Sequence, residues 1–180
     1  VSSCAPTGQR PLGGLAGVLV AMADAWSPLG RLPWVCELGR VLAPYEPAIA
    51  ALPALQGERP APELPPSAAR ARLFRALDAA LERCTGPLLL IIDDLQWADE
   101  LTTAYLQSRL QGDGPAVVAT HRTDGPCEAV TRLVEDAGCT SVRLSTLSDD
   151  QIALVVCDML ALHDQDDPLV RGVCERASGH

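Results

Sequence analysis

The chain has 180 residues, enough for one buried core, and its 48% apolar content with only 3% aromatics makes that core one of Ala, Leu and Val. A net charge of −9 argues against a nucleic-acid surface, which needs clustered cations, and all fourteen cations are arginines, so the chain has no lysine. Apolar runs such as Leu88 to Ile92 are far too short to span a bilayer.

Seven cysteines lie far apart, without a C-x-x-C pair, and the three histidines are equally dispersed. With no signal-peptide pattern, this reads as reduced, mostly buried thiols in a cytoplasmic protein without a zinc site. The chain begins at Val1 rather than Met and stops at His180 directly after a glycine, so both ends read as cut.

In chain order, Leu12, Leu15, Leu19, Met22 and Trp26 recur at helical spacing and predict an amphipathic helix. Shorter helices are expected around Trp34 to Leu42 and Tyr45 to Leu55. Four prolines between Gly57 and Pro66 mark an exposed irregular linker. Ser67 then reads as an N-cap, with Leu73, Leu77, Ala80 and Leu81 lining one face of a helix that Gly86 and Pro87 stop. Leu88 to Ile92 is apolar at every position, which predicts a strand buried on both faces, as in a parallel sheet covered by helices. Asp99 caps a helix to about Leu110, Ala116 to Ala119 is a second strand, and a helix spans about Glu128 to Asp136. Ser141 to Leu144 is a third strand candidate. Ser148 to Gln151 forms a capping box of the S-x-x-Q kind for a helix through Leu160, and Asp167-Pro168 opens another.

Strands alternating with helices, then helices alone, predict an α/β fold with a helical appendage. The predicted division is 1–144 for the α/β core and 145–180 for the start of a helical subdomain. Ligands of such sheets bind outside the carboxyl ends of the strands, where Asp93-Asp94 and Thr120-His121-Arg122 would lie. Adjacent carboxylates repel, and desolvation disfavours their charged forms unless a cation or hydrogen-bond donors compensate. Magnesium on nucleotide phosphates is one such compensation; a plain strand terminus with one aspartate capping a turn is the other reading.

The segment Leu88-Leu89-Leu90-Ile91-Ile92-Asp93-Asp94-Leu95-Gln96-Trp97-Ala98-Asp99 resembles the Walker B motif of AAA-like and STAND-type P-loop signalling ATPases. The similarity extends to Arg72-Leu73-Phe74-Arg75-Ala76-Leu77, to Val117-Val118-Ala119-Thr120-His121-Arg122 as a strand ending in Thr-x-Arg, and to Leu144-Ser145-Thr146-Leu147-Ser148. Glu175-Arg176-Ala177-Ser178-Gly179-His180 is similar to the lead-in of a Gly-x-Pro motif without its proline. The resemblance implies a P-loop NTPase-type parallel sheet flanked by helices, incomplete here, with ATP and Mg2+ as cofactors. It assigns magnesium to Asp93, water activation to Asp94, terminal-phosphate sensing to Arg122 and a nucleotide contact to Gly179. Arg122 also reads as a surface arginine pairing with Asp124. Trp97 and Asp99 are expected to be structural, as a packed ring and an N-cap.

The phosphate-binding loop G-x-x-x-x-G-K-[ST] is missing, because no lysine exists and the Gly13, Gly14 and Gly17 spacing offers no substitute. The expectation is that this loop lies upstream, its strand beside the one ending at Thr120. The implied protein is a nucleotide-driven switch in a larger bacterial signalling or transcription regulator, self-associating and joined to a DNA-binding, kinase or cyclase effector. Direct nucleic-acid or membrane binding by this segment is not expected. The alternative is a degenerate interaction module that binds no nucleotide. A phosphorelay receiver domain fits poorly, since Asp113 precedes its strand and the receiver lysine is absent.

Overall fold

The computed structural model describes residues 2–4, 10–84, 86–110, 115–122, 128–136, 139–162, 164 and 167–177. The chain divides into two compact units, Val1–Cys139 and Thr140–His180. Among the described residues no helix is long and apolar enough to cross a membrane.

The first unit is α/β. Among the described residues its sheet has three parallel strands in the order β1-β2-β3: β1 (Ser2–Ser3), β2 (Leu89–Asp93) and β3 (Ala116–Ala119). The register pairs Ser2 with Ile92 and Ser3 with Asp93 on one side, and Leu89 through Ile92 with Ala116 through Ala119 on the other. Parallel neighbours need long crossovers. The first is supplied by α1 (Ala16–Trp26), α2 (Pro33–Leu42), α3 (Pro47–Ala50) and α4 (Pro66–Leu81), the second by α5 (Glu100–Leu110). Helix α6 (Glu128–Asp136) follows β3.

The stripe Leu12, Leu15, Leu19, Met22 and Trp26 is buried at every position, but it is not one helix. Leu12 lies in a left-handed turn and Leu15 in the 3-10 turn Gly13–Leu15, so that only Leu19, Met22 and Trp26 form the buried face of α1. Leu73, Leu77, Ala80 and Leu81 of α4 are buried likewise. Tyr105 of α5 packs edge-on against Phe74 of α4, and its hydroxyl donates to Asp78 Oδ1 at 2.9 Å. Arg109 reaches the same carboxylate at 2.7 Å. Burial and the Asp78 charge push the Tyr105 phenol well above its usual range, so it stays a donor.

Several expectations need correction. Helix α4 starts at Pro66 without a side-chain cap, so Ser67 is not its N-cap. Proline at the first position has its φ preset and no N–H to satisfy, which removes the need for one. Strand β2 is not buried on both faces. Leu90 and Ile92 are buried, whereas Leu89 is 51% exposed and Val118, on the same face of β3, is 52% exposed. Residues 141–144 form no strand, and Val142 and Leu144 are almost fully exposed, because no sheet edge pairs with them. The cysteines are not mostly buried: Cys4 and Cys157 are, Cys84 and Cys139 are exposed.

Close packing concentrates at Gly14, which follows β1 and precedes α1. A Cβ there would lie 2.7 Å from Thr102 Cγ2 and 3.0 Å from Cys4 Sγ. Gly14→Ala is therefore expected to cost about 1–3 kcal/mol through overpacking, read in a Leu89→Lys, Val118→Lys background as a lower urea midpoint with an unchanged slope.

The second unit contains α7 (Asp149–Leu160) and α8 (Pro168–Ala177). The capping box forms as expected, with Ser148 Oγ accepting from Gln151 N and Gln151 Oε1 accepting from Ser148 N. Asp167 Oδ1 accepts the Leu169 N–H at 2.8 Å, one residue past Pro168. Ala153, Cys157 and Val170 are the buried residues of this unit's small core.

Candidate functional site

The carboxyl ends of β1, β2 and β3 form one edge. The Cys4 N–H donates to the Asp93 carbonyl at 3.0 Å, and the Thr120 N–H donates to the Ile92 carbonyl at 3.0 Å. The Leu95 N–H in turn donates to the Thr120 carbonyl at 2.8 Å. The chain turns sharply at Asp94, which sits in the left-handed region at φ 57°. Aspartate tolerates that conformation better than most residues, and its N–H donates to Thr120 Oγ1 at 3.1 Å.

Thr120 thus clasps the acidic pair. Its hydroxyl donates to Asp93 Oδ1 while accepting from the Asp94 backbone. Asp93 is exposed and Asp94 half-buried, so the pair lies at an open edge rather than in a desolvated pocket. Gln96 adds a second link, its Nε2 donating to Asp94 Oδ1 at 2.9 Å and its Oε1 accepting the Arg122 N–H at 3.1 Å.

Of the residues predicted from sequence, Asp93 and Asp94 lie here, and the backbone of Arg122, three residues past β3 and exposed, is joined to Asp94 through Gln96. Gly179 and Asp124 lie outside the described residues. Trp97 is 42% exposed, so its ring is only partly covered, and the short 3-10 turn Leu95–Trp97 sends Leu95 into the core.

Asp99 is an N-cap and more. Its Oδ1 accepts the Leu101 and Thr102 N–H groups at 3.1 Å each, and its Oδ2 accepts the Thr102 hydroxyl at 2.6 Å. Across the chain, Oδ1 also takes the Leu12 N–H at 3.0 Å and Oδ2 the Gly14 N–H at 3.5 Å. Leu12 has φ 61°, an arrangement costing roughly 1–2 kcal/mol for a residue with a Cβ, which this bond helps to hold. The Cys4 thiol, buried behind the edge, is pushed up to about 11 by burial first and by the charges of Asp99, Asp94 and Asp93, so it stays protonated. A large open groove of about 910 Å³ lies elsewhere, at the amino end of β2 between Trp26, Trp34 and Arg83.

Compared with known proteins, the chain matches no family model, no curated protein and no solved structure. The likeness to signalling ATPases is therefore carried by the motif residues alone.

The donor set fits one half of magnesium–ATP. An exposed carboxylate, Asp93, suits magnesium, which keeps several waters and takes one or two carboxylates. Among the described residues no three His, Cys, Asp or Glu side chains converge, so no closed cage is present and Asp93 would hold the ion largely through water. The phosphate cradle is not in this chain: Gly8 and Gly13 have the glycine spacing, but Gly14 and Leu15 stand where the lysine and the hydroxyl residue would follow, and the chain has no lysine.

What sequence reasoning missed is the bridging set. Thr120 was legible only as part of Thr-x-Arg, and Gln96 gave no signal beyond its place two residues after Asp94.

Proposed function

We propose that this chain is the magnesium-side portion of an ATP-binding switch module within a larger bacterial signalling or transcription regulator. The observation that carries this reading is the acidic pair at the carboxyl end of the central parallel strand, tied by Thr120 to the neighbouring strand end. Asp93 holds magnesium through water, Asp94 orients the attacking water, and Arg122 offsets charge at the terminal phosphate. Magnesium, when bound, neutralises phosphate charge. The reading requires a phosphate-binding loop from residues beyond these 180, paired along the free edge of β3, which is unpaired among the described residues.

A second reading, a nucleotide-independent interaction module, is favoured by the missing lysine and the open sheet face around Leu89 and Val118.

The deciding experiment uses protein expressed from the complete reading frame. Binding of a fluorescent ATP analogue is expected to require magnesium and to weaken at least about tenfold in Asp93→Ala. Asp94→Asn is expected to keep binding and stop hydrolysis. Equal affinity with and without magnesium, or no affinity, would leave the interaction module as the function.

A further inference from the structure

Gln96 is half-buried in the turn after β2, and both ends of its side-chain amide are engaged across the edge. An uncharged primary amide offers a donor and an acceptor on one plane, so it can hold a carboxylate and a backbone N–H together. Its orientation is set by those partners. Rotated by half a turn, the amide would face Oε1 to the Asp94 carboxylate and Nε2 to the Arg122 N–H, both repulsive.

We infer that Gln96 is a positioning residue for the reaction proposed above, aiming the Asp94 carboxylate and tying its aim to the Arg122 segment. The inference rests on the ATPase reading. The Asp94 backbone is already fixed by its N–H bond to Thr120 Oγ1. What stays free is the side-chain torsion, and the 2.9 Å bond from Gln96 Nε2 removes it. Because the same amide grips Arg122 N, a shift of the end of β3 reaches the carboxylate directly. A carboxylate that orients water must be held within a fraction of an ångström, and misplacement by about 1 Å costs on the order of 100-fold in rate.

The test uses the full-length protein with Gln96→Leu and Gln96→Glu. The first removes both bonds. The second keeps an acceptor for Arg122 N and sets a second carboxylate against Asp94. In Gln96→Leu, kcat is expected to fall at least about tenfold while KM for magnesium–ATP changes by less than about twofold. Hydrogen exchange at the Arg122 amide is expected to speed up in that variant and to stay at the wild-type rate in Gln96→Glu, whose kcat falls as far. Unchanged kcat in both variants of a hydrolysing protein overturns the role of Gln96 and leaves the ATPase reading standing. A wild-type protein that neither binds nor hydrolyses magnesium–ATP removes the reading and this inference with it.

Discussion

The 180-residue chain, produced alone, is expected to self-associate at micromolar concentration, and Leu89→Lys with Val118→Lys is expected to make its first unit monomeric. Parallel sheets are ordinarily covered on both faces, because crossover helices lie on each side. Here the face carrying Leu90 and Ile92 is buried, whereas Leu89 and Val118 are half exposed on the other. Strand β3 also presents exposed Ala116 and Ala119 and an outer edge unpaired among the described residues. An apolar face beside an open edge is a template for pairing with another chain, and charged residues suppress it. Helix α7 adds a separate apolar surface at Leu154, Val155, Met159 and Leu160. A Leu154→Lys, Met159→Lys pair measures its share. Light scattering and sedimentation velocity read the outcome. A wild-type monomer with a cooperative urea transition would sink the expectation, as would rescue by the helix pair alone.

In the Leu89→Lys, Val118→Lys host, Asp99→Ala is expected to cost about 3–5 kcal/mol of folding stability. Asp99 is 7% exposed and accepts from four backbone N–H groups and one hydroxyl. Each buried donor left without an acceptor costs roughly 1–3 kcal/mol, and the strained Leu12 turn loses its tie as well. Against a typical total of about 5–15 kcal/mol, this is among the largest single effects available to the chain. Thr102→Val, which removes one donor and keeps the carboxylate, is expected to cost only about 1 kcal/mol. Equal urea midpoints for the host and Asp99→Ala would show that the clasp contributes nothing.

The same clasp has a pH signature. Burial alone would raise the Asp99 carboxyl, but the Thr102 hydroxyl and the N–H groups of Thr102, Leu12 and Gly14 outweigh it and lower it overall. A carboxyl lowered in the folded state lends stability that is complete above its unfolded value, about 3.9, and drains away as pH falls through the folded value. Acid unfolding below about pH 4 is therefore expected to be steeper in the host than in Asp99→Asn.

The sequence by itself determined most of the helices, though not where each begins, and the place of the acidic pair. The Leu12 to Trp26 stripe is buried residue for residue, and the Ser148 box and the Asp167-Pro168 start form as written. Such features are local: a helix satisfies its backbone within a few residues, and its caps lie one turn away. The α/β class and the position of Asp93 and Asp94 at a strand end were legible for the same reason, from a short apolar run and its stop. Tertiary structure alone decided the rest. Residues 141–144 have strand-like spacing but pair with no strand, and Leu89 is apolar but uncovered, because a strand needs partners from elsewhere in the chain. Thr120 reaches Asp93 across 27 residues, Gln96 reaches Arg122 across 26, and Asp99 reaches Leu12 across 87. No local period encodes contacts at those separations; they exist only once the parallel strands bring their carboxyl ends to one edge.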